Sequence, residues 1–273
     1  MPELPEVETV RRQLDPVLTG VRIADVHARR PDLRTAFPPR FRHRLRRQTV
    51  QAVTRRAKYL LAELSSGETL MMHLGMSGSF RIELPGESRQ ALGLHDHVVF
   101  DLASGARVVF NDPRRFGFMD LLTPAEREQH VVLSRLGPEP LADGFDGAAL
   151  ARACRGKKTS IKVALLDQRV VAGIGNIYAS EALHVAGLSP RRRAEIVATP
   201  KGVPRESAHR LAAAIKKVLN AAITRAAGAP YRGSRFRVYD REGERCRRVR
   251  CEGVIERRTQ AGRSTFYCPI CQR

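Results

Sequence analysis

Residues 97–110 read HVVFDLASGARVVF, in which two runs of apolar residues flank a short segment that contains Gly105. Apolar residues that alternate with a period of two are typical of β-strands, and a glycine between two such runs marks a turn. Similar runs precede and follow this segment without a helical pattern between them, which favours antiparallel over parallel pairing. The segment therefore predicts strands of an antiparallel β-sandwich or barrel.

The strand pattern extends from about residue 21 to residue 122, through VRIADVHAR, VQAVTRRAKYLLAEL, ETLMMHLGMSGSFRIEL and FGFMDLL. Before it, Val7, Val10 and Leu14 are spaced as on one face of a helix, and Pro5 lies in the first turn. Residues 1–133 are therefore predicted to form an N-terminal domain in which one leading helix accompanies a β-sandwich.

A loop rich in proline and glycine, LSRLGPEPLADGFDG at residues 133–147, predicts a domain boundary. Helical spacing follows at about 146–154, 159–166, 176–186 and 204–226. We predict a helical domain over residues 134–235 and a hairpin module over 236–273. The fold class is thus a multidomain α+β protein.

Four of the five cysteines lie near the C-terminus, with the spacing Cys246-x4-Cys251-x16-Cys268-x2-Cys271. Two cysteine pairs supply four thiolates for a tetrahedral zinc ion, and a closed set of four makes that zinc structural rather than catalytic. Metal binding would then supply the folding energy of a module too small to bury a core. Reduced surface cysteines are the alternative, and Cys154 is predicted to be an inert buried thiol.

The formal net charge of +20 is concentrated in the second half of the chain. Residues 151–273 contain 27 Lys or Arg against 9 Asp or Glu, whereas residues 1–150 contain 21 against 19. This surplus predicts a polyanionic partner such as nucleic acid, with a solvated basic face as the alternative. No apolar run reaches the roughly 20 residues that cross a bilayer, and the start MPELPEVE does not resemble a signal peptide. We therefore expect a soluble intracellular protein.

Gly173 and Gly175 precede a predicted helix that begins near Asn176, where backbone N–H groups and the helix dipole favour an anion. Lys158 lies in a basic segment shortly before, which suggests that this region grips a DNA backbone. A tight turn between packed helices is the alternative.

Met76, Arg114 and Phe116 combine apolar side chains with a cation, as insertion into a base stack requires. Their spacing alone favours the other interpretation, in which Met76 and Phe116 pack in the core of the sheet.

Pro2 becomes the amino-terminal residue if Met1 is removed. A free secondary amine can attack the sugar C1′, displace the base and form an iminium ion, which promotes loss of the flanking phosphates. The helix dipole favours the neutral amine, whereas Glu3 and Glu6 favour the charged form. The alternative is that Pro2 only begins the helix.

The motifs PELPEVETVRR, RRAKYL, HLGMSGS, NDPRRFG, LGPEPL, KKTSIK, GIGNIYASEAL, VYDREG and GRSTFYCPICQ resemble those of the bacterial formamidopyrimidine-DNA glycosylases, nearly from end to end. The resemblance implies a helix with a β-sandwich, a helix-two-turn-helix domain and a four-cysteine zinc finger. It also implies a monomer in the bacterial cytoplasm, at the nucleoid, which repairs double-stranded DNA. Its activity would be excision of formamidopyrimidines and 8-oxoguanine, with β,δ-elimination at the abasic site. Leu4 favours this purine-directed branch over the related endonuclease VIII group.

Matching motifs carry site residues over from this resemblance. Pro2 is the implied nucleophile, Glu3 the acid that assists sugar ring opening and base departure, and Glu6 a supporting carboxylate. Lys58 is similar to a strand lysine that contacts phosphate beside the lesion and supports catalysis, so it is an implied catalytic residue. The residues implied to contact DNA are Met76, Arg114 and Phe116, which fill the space of the flipped nucleotide, and His73, Lys158, Asn176 and Arg263, which contact phosphates.

The chain departs from the family pattern in two places. The first cysteine pair has four intervening residues where two are common. The segment AAGAPYRGSR, residues 226–235, is shorter than the family's loop over the flipped oxidised guanine. We therefore predict a weaker preference for 8-oxoguanine relative to formamidopyrimidines or abasic sites, with the lyase chemistry retained.

Two other functions fit parts of the sequence. A zinc-finger protein that binds damaged DNA without catalysis would need the basic half and the cysteines, but not Pro2 or Lys58. A zinc-dependent nuclease is disfavoured because four thiolates leave no open coordination position.

Overall fold

The structure, a computed structural model, describes residues 2–226 and 236–273. The chain forms two compact units, Met1–Ser134 and Arg135–Arg273. The further division of the second unit at residue 236 stays a prediction. Among the described residues, no helix is both long enough and apolar enough to cross a membrane.

The first unit begins with helix α1, Leu4–Leu18, which extends one turn beyond the predicted pattern. Val7 and Leu14 are buried on its inner face, as their spacing predicts. Pro16 lies inside the helix, where it cannot donate a backbone hydrogen bond. Burial of Leu18 against the core accounts for the extra turn, because apolar contact offsets the missing bond.

The remaining elements of this unit are β1 (Ile23–Ala28), α2 (Phe41–Leu45), β2 (Val50–Arg56), β3 (Tyr59–Leu64), β4 (Thr69–His73), β5 (Ser79–Glu83), β6 (Asp96–Leu102), β7 (Arg107–Asn111), β8 (Phe118–Leu122) and α3 (Pro124–Gln129). They form two four-stranded sheets, in the orders β1-β6-β7-β5 and β2-β3-β4-β8. Every pairing between these strands is antiparallel, which confirms the sandwich predicted from the alternating pattern.

A single apolar core lies between the two sheets and includes side chains from both, such as Val98 and Phe110 from one and Leu60 and Met72 from the other. The predicted strand segment ETLMMHLGMSGSFRIEL divides between them, since β4 belongs to one sheet and β5 to the other. The five residues 74–78 carry the chain across, and Gly75 in this crossing has a positive φ of 60°.

The second unit contains four helices within its described residues: α4 (Gly147–Cys154), α5 (Ile161–Leu166), α6 (Asn176–Ala186) and α7 (Glu206–Ala226). Their bounds agree with the predicted helices to within two residues. Leu211, Ile215 and Leu219 are buried along one face of α7, as their helical spacing predicts.

A two-stranded hairpin lies near the C-terminus, with β9 at Glu256–Gln260 and β10 at Arg263–Tyr267. Ala261 and Gly262 form its turn, and both have positive φ. Turns of this handedness match the right-handed twist of the two strands. The turn places Arg263 at the exposed end of the hairpin.

Candidate functional site

The start of α1 holds the residues predicted to carry the chemistry. Glu3 is the residue before the helix, and only 3% of it is exposed. Its backbone N–H donates to Glu6 Oε2 at 2.8 Å. This N–H belongs to the peptide bond between Pro2 and Glu3, so the Glu6 carboxylate fixes the orientation of the peptide that carries Pro2.

Lys58 lies in the two-residue turn between β2 and β3, not within a strand as the resemblance implied. Its neighbour Ala57 has a φ of 53°, and Arg55 Nη1 donates to the Ala57 carbonyl at 2.9 Å. The turn is therefore held by a side chain of the preceding strand. Lys58 itself is 7% exposed, so its position is defined by the surrounding protein.

His73, the last residue of β4, packs against the rings of Tyr59 and Phe118, at centroid distances of 5.1 and 5.4 Å. Burial, with the charges of Lys58 and Arg34, lowers its pKa to about 4. The ring is therefore neutral near pH 7. Its Nδ1 accepts from the backbone N–H of Gly75 at 3.0 Å, so the ring proton lies on Nε2.

Met76 and Phe116 lie on the surface. The exposed fraction is 42% for Met76 and 43% for Phe116. Their spacing alone favoured packing in the core of the sheet, and that interpretation is wrong. Each sits in a tight loop outside the strands, where the alternating pattern does not apply. The Arg114 guanidinium lies 4.8 Å from the centre of the Phe116 ring, so cation and ring form one surface feature.

These side chains come from two loops, the Met76 loop (residues 74–78) and the Arg114 loop (residues 112–117). The loops touch through their backbones: a Cβ atom on Gly75 would lie 2.3 Å from the Phe116 carbonyl carbon and the Gly117 nitrogen. Asp112 is fully buried beneath them, accepting from Ser77 Oγ at 2.5 Å and from the Gly117 N–H at 2.8 Å. The sequence analysis missed Asp112, although it stands in the quoted motif NDPRRFG.

In the second unit, α6 begins at Asn176 directly after Gly175, as predicted. The Asn176 Nδ2 donates to the Ser264 carbonyl at 3.0 Å, and Arg263 is the neighbour of Ser264. Asn176 and Arg263, far apart in sequence, are thus brought to the same place. Lys158 is exposed and lies three residues before the start of α5.

Lys162 belongs to the same basic segment as Lys158 but has no exposed surface. Its ammonium donates to the Ser264 carbonyl at 3.1 Å and to Thr265 Oγ1 at 2.9 Å. Buried polar groups of this kind need hydrogen-bond partners, and this one finds them on β10. Lys162 therefore attaches the hairpin to the helices.

The sulfur atoms of Cys246, Cys251, Cys268 and Cys271 all lie within 4.8 Å of one another. Burial and the neighbouring cysteines hold the pKa of Cys271 well above its usual range. Four thiolates this close repel one another unless a cation lies among them, so the donor set suits a metal ion. Cys154 lies elsewhere, is fully buried, and burial raises its pKa to about 11.

Two further residues around this cluster were missed by the sequence analysis. His184 is buried, and its Nε2 lies 3.3 Å from Cys246 Sγ. The carboxylate of Glu181, one turn earlier on α6, accepts the backbone N–H groups of three consecutive residues, Arg237, Val238 and Tyr239, at 2.8 to 2.9 Å. The quoted motifs GIGNIYASEAL and VYDREG contain both sides of this contact, but neither indicates the pairing.

Comparison with known proteins agrees with this architecture. A family model described as the formamidopyrimidine-DNA glycosylase N-terminal domain matches residues 1–119. A second, described as the H2TH domain of the same glycosylase, matches residues 136–231.

Relatives match over their whole length. The formamidopyrimidine-DNA glycosylases of Bradyrhizobium sp. (strain ORS 278) and Rhodopseudomonas palustris (strain BisB18) are 58% and 56% identical, with all of each chain covered. Two solved structures of the Lactococcus lactis enzyme cover all of both chains at 32% identity, with TM-scores of 0.84 and 0.85. One is bound non-covalently to DNA containing an abasic site, and the other is in complex with DNA containing an oxidised pyrimidine.

The sandwich, the helices and the cysteine cluster thus define a DNA glycosylase of the helix-two-turn-helix type. Within that class, the chain belongs to the formamidopyrimidine-DNA glycosylase family. Its members are enzymes of base excision repair, for which removal of oxidised purines and cleavage of abasic sites are standard activities. A non-catalytic protein that binds damaged DNA is therefore not favoured.

Proposed function

We propose that Pro2, after removal of Met1, is the nucleophile of a bifunctional glycosylase. Its neutral amine attacks the sugar C1′, and the C1′–N bond to the base breaks as the C1′–N bond to Pro2 forms. Ring opening gives an iminium ion. This ion acidifies the C2′ hydrogen, so that the 3′ phosphate leaves by β-elimination and the 5′ phosphate by δ-elimination.

We assign Glu3 the proton that assists ring opening and base departure, and Glu6 a supporting role. The bond from the Glu3 N–H to Glu6 supports the second assignment, because it orients the peptide next to the reacting nitrogen. Lys58 binds the phosphate beside the lesion. Its nearly complete burial supports this, since a cation held by the protein is already placed for its partner.

The DNA-contacting residues are proposed in two groups. Met76, Arg114 and Phe116 occupy the space left by the flipped nucleotide, which their exposure and their common surface position support. The phosphate contacts are His73, Lys158, Asn176 and Arg263. The substrate is double-stranded DNA with an oxidised purine or an abasic site, and the enzyme acts as a monomer in the cytoplasm, at the nucleoid.

Zinc is the proposed metal of the four-cysteine cluster. Cys246, Cys251, Cys268 and Cys271 would hold it as a closed set of thiolates, so it would stabilise the hairpin and take no part in the reaction. The His184 N–H beside Cys246 fits this arrangement, because a donor to a ligand sulfur stabilises the thiolate.

Lesion preference depends on the shortened segment 226–235, most of which lies outside the described residues. The alignment with the Bradyrhizobium enzyme runs over 294 positions against 273 residues here, which supports a deletion in this chain. We propose a reduced preference for 8-oxoguanine relative to formamidopyrimidines. Turnover ratios equal to those of a long-loop relative on matched oligonucleotides would contradict this.

The observation that carries the proposed chemistry is the start of α1, where buried Glu3 follows Pro2 and is tied to Glu6. Sodium borohydride reduces an iminium ion to a stable amine, so incubation with abasic duplex should yield a covalent protein–DNA adduct. Mass spectrometry should place it on Pro2. The adduct should fall sharply in Pro2→Gly, whose primary amine gives an imine that can lose its proton and become neutral, and in protein that retains Met1; Pro16→Ala provides a matched proline control. No adduct with fully processed protein would favour a binding module.

A further inference from the structure

Asp112 joins the two loops that carry the inserting side chains and is itself fully buried. One carboxylate oxygen accepts from Ser77 Oγ in the Met76 loop, and the other accepts from the Gly117 N–H at the end of the Arg114 loop. Ser77 Oγ in turn accepts from the backbone N–H of Arg114 at 3.1 Å. A closed set of hydrogen bonds therefore runs from one loop to the other through a single buried side chain.

The backbone of Asp112 is itself fixed to the sheet. Its N–H donates to the His95 carbonyl and its carbonyl oxygen accepts from the buried His97 Nε2, both at 3.0 Å. The first residue of the Arg114 loop is thus tied to His95 and to His97 of β6, which gives the Asp112 carboxylate a defined position. A buried carboxylate whose acceptors are satisfied in this way is a rigid connection, because each broken bond leaves a polar group unpaired.

The two loops are also packed closely against each other. Gly75 has φ of 60° and meets the Phe116–Gly117 peptide so closely that no side chain fits. Gly117 is restricted as well, since a Cβ there would lie 2.8 Å from both the His73 carbonyl oxygen and Phe110 Cζ. The two loops are therefore packed together as one unit, on which Met76 and Phe116 are exposed.

We propose that Asp112 is a positioning residue for base extrusion: it keeps Met76, Arg114 and Phe116 in one arrangement before DNA is bound. The inference rests on the inserting role proposed above for these three side chains. Insertion by loops that are already ordered avoids the entropy loss of ordering them in the complex. The ordered loops should therefore speed the step in which a base leaves the stack, and should not affect iminium formation.

Two substrates separate these steps. Duplex DNA with a formamidopyrimidine opposite cytosine requires extrusion, whereas a single-stranded abasic oligonucleotide has no stack to open. For Asp112→Asn we expect kcat on the duplex to fall about 10- to 100-fold, the cost of a small misplacement in an otherwise intact site. KM on the duplex should stay within about threefold of the wild-type value, because it does not depend on insertion. Cleavage and borohydride trapping of the single strand should also stay within about threefold of wild type, for the same reason.

Further variants keep the proposal testable if Asp112→Asn fails to fold. Ser77→Ala removes the hydroxyl that connects Asp112 to Arg114 and should show the same selective loss, while Ser77→Thr, which keeps the hydroxyl, should restore the duplex rate. Asp120→Asn is the matched control, since the Asp120 carboxylate accepts from its own neighbour Leu121 on β8, away from both loops. It should behave as wild type.

A readout of extrusion itself completes the test. With 2-aminopurine beside the lesion, the fluorescence rise that follows unstacking should slow in Asp112→Asn and Ser77→Ala to the same extent as kcat. Wild-type duplex rates in both variants, or equal losses on duplex and single strand, would overturn the positioning role. Failure of the wild-type enzyme to form an adduct on either substrate would instead overturn the proposed chemistry at Pro2.

Discussion

Among single residues, His73 shows how surroundings set the kind of contact that a side chain offers. Its ring is neutral, because burial and the charges of Lys58 and Arg34 lower its pKa to about 4. With Nδ1 occupied by the Gly75 N–H, the proton on Nε2 is what remains for a phosphate oxygen. The phosphate contact proposed for His73 is thus a hydrogen bond from an uncharged donor, unlike the ion pairs proposed for Lys58 and Arg263.

The pKa of His73 makes the stability of the protein depend on pH in a defined window. Its folded pKa lies below the unfolded value of 6.5, so the unfolded chain binds the proton more tightly. The resulting stability is fully present above pH 6.5 and is lost progressively as the pH falls from 6.5 to about 4. His73→Gln should remove this dependence, which is on the order of 2–3 kcal/mol across the window. Urea unfolding of both proteins at pH 7 and pH 4.5 measures it, and parallel changes in the two would contradict the expectation.

The residue motifs predicted which side chains matter, but not how the protein fixes them. Pro2, Glu3 and Glu6 are neighbours in sequence, so one helix start brings them together. The neutral state of His73 and the role of Asp112 depend on residues 15 to 40 positions away, whose approach is decided by strand register and loop packing. A linear pattern does not contain that information.

At the level of elements, the hairpin and the helices of the second unit are joined by buried polar contacts. Lys162 and Asn176 both donate to the Ser264 carbonyl, and Glu181 binds three backbone N–H groups after the segment 227–235. The strands of the sandwich, the helices α1 and α4 to α7, and a hairpin module at residues 236–273 were predicted from periodicity and spacing. Their mutual docking was not, because these contacts join residues 56 to 102 positions apart. The short helices α2 and α3 were also missed, since five or six residues do not establish a helical repeat.

Glu181 provides a test of this docking. In Glu181→Gln an amide N–H₂ replaces one acceptor oxygen, so at least one of the three backbone N–H groups loses its partner. The free energy of unfolding should fall by about 1–3 kcal/mol. Glu244→Gln is the matched control, because the Glu244 side chain is exposed and its partner Arg241 keeps its bonds to the Arg237 and Arg245 carbonyls, so the ion pair should contribute at most about 1 kcal/mol. Thermal unfolding of the metal-loaded protein measures both, and equal losses would argue against the buried contact.

For the whole molecule, charge is divided unevenly between the two units. Arg135–Arg273 contains 28 Lys or Arg against 12 Asp or Glu, whereas Met1–Ser134 contains 20 against 16. The second unit is therefore expected to supply most of the sequence-independent affinity for the DNA backbone, through release of condensed counterions. Composition alone predicted this division, because charge, unlike contact, can be counted along the chain.

Salt dependence tests one of the proposed phosphate contacts. If Lys158 neutralises a phosphate, Lys158→Gln should make the slope of log K against log salt less steep by about 0.9. Undamaged and lesion-containing duplexes should lose affinity alike. Lys201→Gln, at an exposed turn without a proposed contact, should leave the slope unchanged. Fluorescence anisotropy at several salt concentrations gives the slopes, and an unchanged slope for Lys158→Gln would remove that residue from the interface.

The burial of Cys154 has a practical consequence for following the metal. The chain has five free thiols, of which one is fully buried with a pKa near 11 and four are gathered in the cluster. A chromogenic disulfide reagent reacts with thiolates, so it should count almost none in the metal-loaded protein. It should count four after chelation, and the fifth only in denaturant. The number of reacted thiols therefore reports two events separately. Metal release adds four thiols to the absorbance signal, and global unfolding adds the fifth.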